Sequence, residues 1–82
     1  MYKLVFTATA DSQLEKLDKP AKERIIRSLE RIRFIPEPHL KKLVGEPGYR
    51  FRVGDYRVIV DLIKDELVIL IIKIGHRKNV YY

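Results

Sequence analysis

Eighty-two residues carry a net charge of +6, no cysteine and only two histidines, which removes several function classes at once. A disulfide framework, a thiolate zinc site and a cysteine nucleophile are excluded. His39 and His76 lie too far apart in sequence to suggest a metal-ligand set, and no motif calls for a cofactor. The longest apolar run, Leu67 to Ile72, is too short to cross a bilayer. Nothing at the N-terminus reads as a signal peptide. A single cytoplasmic domain over 1–82, making no membrane contact, is the expectation.

The chain opens with a short strand, Tyr2 to Phe6. A helix follows over about 8–17, started by Thr7 or Thr9, with Ala10, Leu14 and Leu17 on one face. Asp18 is placed to cap a second helix and Pro20 suits its first turn. That helix is expected to run to about Phe34 with an apolar stripe of Ala21, Ile25, Leu29 and Ile32, ended by Pro36 and Pro38. Its basic residues Lys22, Arg24, Arg27, Arg31 and Arg33 read as a solvated face with glutamates nearby. His39 to Leu43 reads as a connector, with Leu40 and Leu43 turned inward and Lys41 and Lys42 outward, where they add to a basic surface for RNA. Three strands follow, at about 48–53, 56–63 and 67–74. The order β-α-α-β-β-β predicts an α+β fold, a helical hairpin packed on one face of a small, mostly antiparallel twisted sheet.

Charge is uneven along this order. Residues 1–38 carry +2, 39–60 carry +3, 61–72 carry −2, and the last ten carry +3 without an acid. Positive charge therefore gathers around the predicted hairpin and the terminal segment, which favours a polyanionic partner.

The segment Tyr49 to Val60 holds the most specific local signal. Gly54-Asp55 reads as a two-residue hairpin loop. It sets Val53 opposite Tyr56, Arg52 opposite Arg57, Phe51 opposite Val58 and Arg50 opposite Ile59. Like charges directly opposite on a sheet are destabilising, so an anionic ligand is the natural reason for the Arg52–Arg57 pair. Alternation puts Tyr49, Phe51, Val53, Tyr56, Val58, Val60 and Leu62 under the helices, leaving Arg50, Arg52, Arg57, Ile59 and Asp61 on the other face. Carried into the last strand, the same parity adds Leu70, Ile72, Ile74 and His76 to the arginine face. Ile59, Leu70, Ile72 and Ile74 then form an apolar stripe suited to a protein partner.

Guanidinium groups make paired, charge-assisted hydrogen bonds to phosphate. Arg50, Arg52 and Arg57, joined by Arg77 and Lys78, would hold a phosphodiester and neutralise charge building on its oxygens. Tyr81 and Tyr82 would stack on exposed bases. On an RNA backbone the reaction open to such a site is attack by the 2′-hydroxyl on the adjacent phosphorus. Arginine holds its proton too firmly to act as a base, so proton transfer falls to Tyr81 or to His76.

The runs Y-R-F-R-V-G-D-Y-R-V-I-V-D and G-H-R-K-N-V-Y, at this spacing, resemble the RelE branch of the RelE/ParE toxin superfamily, and the resemblance covers almost the whole chain. It implies the toxin of a type II toxin–antitoxin system, a metal-independent endoribonuclease that cuts messenger RNA in the ribosomal decoding site. It also implies a cognate RelB-like antitoxin, with acidic amphipathic segments, that joins the toxin in a hetero-oligomer. Arg50 and Arg52 fall where RelE enzymes carry two catalytic lysines. Arg57 and Arg77 match phosphate-stabilising arginines, and Tyr81 matches a C-terminal tyrosine that positions or activates the ribose hydroxyl. Two other readings share the scaffold: a ParE-like gyrase inhibitor without nuclease activity, and an inactive member that binds RNA or antitoxin only.

Overall fold

The computed structural model of the chain describes residues 1–76. Strand β1 (Lys3–Phe6) leads into α1 (Ala8–Glu15) and α2 (Lys19–Arg31); a 3-10 turn at Glu37–His39 precedes β2 (Lys41–Lys42), β3 (Tyr49–Val53), β4 (Tyr56–Ile63) and β5 (Val68–His76). The five strands form one sheet in the order β1-β5-β4-β3-β2. Only the β1–β5 pair is parallel. The last strand is thus interior, paired with β1 on one edge and β4 on the other. No described helix is long and apolar enough to cross a membrane.

Caps set both helix starts. Thr7 accepts a hydrogen bond from the Ala10 N–H and Asp18 accepts one from the Ala21 N–H. The helices bury Ala10, Leu14, Ile25 and Leu29 against Phe51, Val53, Val58, Val60, Ile69, Ile71 and Ile74 of the sheet. The second helix ends at Arg31, three residues short of the expected boundary. Here the chain is drawn away to β1. The Tyr2 N–H donates to the Arg33 carbonyl at 2.8 Å, and Arg33 Nε donates back to the Tyr2 carbonyl at 2.8 Å. Pro36 also biases its predecessor away from helical backbone. Phe34 and Ile35 are left exposed.

The β3–β4 hairpin has the expected register, residue for residue, around Gly54-Asp55. Gly54 sits at φ +58°, where a side chain would be strained. Between β4 and β5 the parity holds from Ile63–Val68 to Val60–Ile71, and then slips by one residue: Ile59 pairs with Lys73. Ile72 is the extra residue of a β-bulge.

The first helix anchors this bulge. The Thr7 hydroxyl donates to the Ile72 carbonyl at 2.9 Å, and the Ile74 N–H donates to Gln13 Oε1 at 2.6 Å. Backbone groups that the slipped ladder leaves unpaired are thereby satisfied from α1. Gln13→Leu strands the Ile74 N–H away from its acceptor and is expected to cost about 1–3 kcal/mol in urea unfolding.

Candidate functional site

Two cross-strand rows build the outer face of the sheet, opposite the helices. One row runs Lys41–Arg50–Ile59–Lys73 across β2, β3, β4 and β5. The next runs Arg52–Arg57–Gly75. Lys41, Arg50, Arg52 and Arg57 line a cleft of about 340 Å³ without a carboxylate among them. Arg50 and Arg57 are half-buried, so their stems are held against the sheet while their heads reach the cleft. Ile59, only 5% exposed, lies between Arg50 and Lys73 in the first row.

Lys41, expected on an outward basic surface, joins the arginine row itself, and Lys73 is a cation that the sequence pattern did not place there. The two-residue β2 sets Lys41 directly opposite Arg50, a second like-charge pair beside Arg52–Arg57. Lys73 reaches this face only because the bulge inverts the last strand's parity. Each like-charge pair costs about 0.2–1 kcal/mol in a sheet. Asp61, on the same face, accepts from the Leu62 N–H at 2.9 Å and does not line the cleft. The arrangement is one that a bound polyanion would stabilise.

The bulge also corrects the placement of Ile74 and His76, and burial corrects that of Ile59. Ile74 pairs with Val58 in the core under the helices and is 2% exposed, so it is not part of an outer stripe. Ile59 is outward but buried, and only Leu70 and Ile72 of the predicted stripe stay half-exposed; the continuous exposed apolar stripe is therefore absent. His76 pairs with Tyr56 on the helix side, their rings edge to face at 5.6 Å between centroids and 75° between planes. Its imidazole is on the wrong face of the sheet to transfer a proton in the arginine cleft. Lys42 pairs with Tyr49 and lines a neighbouring hollow with Glu46, which shares Lys41 and Arg50 with the arginine cleft. Arg77, Lys78, Tyr81 and Tyr82 lie outside the described residues.

The basic face of α2 is solvated as expected, with Arg24, Arg27 and Arg31 exposed and Glu23 beside them. Lys22 does pair with Glu15, at 3.7 Å, and Arg33 is tied to β1. Among the described residues, Arg24, Arg27 and Arg31 have no ion pair.

Chemically, the described cleft can bind and polarise. Planar guanidinium forks fixed on a sheet fit the non-bridging oxygens of a phosphodiester. Among the described residues the cleft lining offers no carboxylate or imidazole as proton acceptor.

A family model described as the ParE toxin of the type II toxin–antitoxin system parDE matches residues 4–81. Comparison with curated proteins finds no match. Among solved structures, the chain resembles the toxin in the intact RelBE toxin–antitoxin complex of E. coli, at 26% identity and a TM-score of 0.79, covering 93% of this chain and 96% of that one. It resembles RelBE2 of Mycobacterium tuberculosis at 26% identity and a TM-score of 0.80, over 93% and 98% of the two chains. The archaeal RelE–RelB complex of Pyrococcus horikoshii matches at 26% identity and a TM-score of 0.77, over 96% and 98%. With a family model spanning nearly the whole sequence and the same β-α-α-β-β-β sheet in these structures, the chain belongs to the RelE/ParE superfamily of type II toxin–antitoxin toxins.

Proposed function

We propose that this toxin is a ribosome-dependent endoribonuclease that cuts messenger RNA in the decoding site by attack of a ribose 2′-hydroxyl on the neighbouring phosphorus. The observation that carries the reading is the convergence of Lys41, Arg50, Arg52 and Arg57 on one cleft with no carboxylate among its described lining residues. Arg50, Arg52 and Arg57 hold the non-bridging oxygens and neutralise charge as the pentacoordinate phosphorus forms. Fixed donors aimed at developing charge are among the largest catalytic contributions. The 2′-oxygen bonds to phosphorus, the 5′-oxygen leaves with a proton, and a 2′,3′-cyclic phosphate remains. The resemblance to RelE assigns Arg77 to the phosphate and Tyr81 to the ribose hydroxyl; with His76 turned to the helix side, Tyr81 is the remaining candidate for proton transfer. Lys78 and Tyr82 contribute RNA contacts in the same reading.

An antitoxin partner follows from the relatives, which were solved as RelE–RelB complexes. An acidic segment laid over the cationic cleft would satisfy the opposed like charges and block substrate together. Co-purification with the neighbouring gene product tests this, and a toxin that stays monomeric beside it counts against the partner.

The family model's ParE description favours one second reading, a gyrase inhibitor with no nuclease activity. The two separate cleanly. Primer extension on translated messages should show new 5′ ends within the reading frame, while gyrase supercoiling in vitro should be unaffected. Blocked supercoiling without new ends reverses the assignment.

A further inference from the structure

A second groove, of about 590 Å³, runs between α2 and the tip of the β3–β4 hairpin, lined by Arg24, Arg27, Arg31 and Arg52 with Glu23 as the one carboxylate. The helix contributes its three arginines from one face, at spacings of three and four residues. Two of the four guanidinium groups are held at the same turn residue. Arg24 lies against Gly54, where a Cβ would come within 2.7 Å of its Nη1, and Arg52 Nε donates to the Gly54 carbonyl at 3.3 Å. Arg52 lines both this groove and the outer cleft, so the two are continuous around the hairpin tip.

We propose that this groove is a second anion site that holds a run of backbone phosphates of an RNA strand. At 1.5 Å rise per residue, Arg24 to Arg31 spans about 10 Å. That is long enough to meet successive phosphates of one RNA strand. Among the described lining residues only Val53 and Pro20 are apolar, and Val53 is buried in the core. A protein partner would need an apolar anchor here that the groove does not provide. Among the described residues, none forms an ion pair with Arg24, Arg27 or Arg31. This site does not depend on the cleavage reading, since a member that binds RNA without cutting it would use the groove in the same way.

The test is fluorescence anisotropy with a labelled 2′-O-methyl RNA, which lacks the attacking hydroxyl, titrated at several salt concentrations. Arg27→Gln/Arg31→Gln alters two exposed residues and should leave the thermal melt unchanged. It should weaken binding about tenfold and flatten the log K against log salt slope by about 1.4, as two lost phosphate contacts on a single strand predict. Arg27→Lys/Arg31→Lys, which keeps both charges, should retain the wild-type slope. An unchanged slope and affinity in the glutamine variant overturns the groove. So does tighter binding of poly-glutamate than of RNA by the wild type. RNA binding that behaves as expected in a protein that never cuts message would sink the cleavage reading and leave the groove standing.

Discussion

Arg57→Ala should lower cleavage of translated message by about 10²–10³-fold, the usual loss when one preorganised donor to a developing oxyanion is removed. The residue sits directly across from Arg52, one row from Arg50, in a cleft where every described lining side chain is a cation. Arg50→Ala should produce a loss of similar size with a different stability signature. Lys41 faces Arg50 across the β2–β3 pair, so the substitution relieves a repulsion worth about 0.2–1 kcal/mol and should not lower the melting temperature. A loss of activity in a protein at least as stable as the parent cannot be ascribed to unfolding. Arg57→Lys keeps the charge but not the planar fork and should recover only part of the rate. Cleavage-site mapping and growth arrest on induction read both effects. If the two alanine variants still cut and still arrest growth, the cleft is not the catalytic site.

Much of this geometry was legible because short-range rules dominate it. Gly54-Asp55 permits one hairpin register, and that register alone opposes Arg52 to Arg57. Thr7 and Asp18 cap the helices as their side chains suggest, and the stripe of Ile25 and Leu29 fixes which face of α2 is buried. Long-range contacts explain what was missed. The bulge at Ile72 has no local sequence mark, because an apolar run tolerates either parity; its position is set by Thr7 and Gln13 more than sixty residues away. That one slip moves Lys73 into the cation row and takes Ile74 and His76 out. A Lys after a run of isoleucines was the available hint, since a charge is costly on a fully covered face. Lys41 was read as an outward, RNA-facing cation, but its place opposite Arg50 was not legible, because a two-residue strand is too short for alternation to be visible.

The chain gains a longer cation row from this slip. A strand without the bulge would present Ile72 and Ile74 beside the arginines and bury Lys73 under the helices. With it, the central strand offers apolar residues to the core on both sides of the slip, Ile69 and Ile71 before it and Ile74 after. The outer face receives a cation in the row of Arg50. Packing and charge are thus reconciled by one inserted residue rather than by a change in composition.

Ile74→Ala is the decisive stability test of that arrangement. Strict alternation puts Leu70 and Ile74 on the same exposed face, where truncating either should be nearly equivalent. In the structure Ile74 is 2% exposed in the main core, opposite Val58, while Leu70 is half-buried opposite Asp61. Removing three carbons at the buried position should cost about 2–5 kcal/mol through lost burial and the cavity left behind. For 82 residues the whole folding free energy is of order 4–12 kcal/mol at the usual stability per residue, so the variant should unfold at much lower urea. Leu70→Ala should shift the midpoint far less, because part of its surface is already in water. The two measurements share a strand, a residue volume and a backbone, so their difference reports the face each side chain occupies. Equal midpoints would restore uninterrupted alternation, return His76 to the arginine side, and take Lys73 out of the cleft.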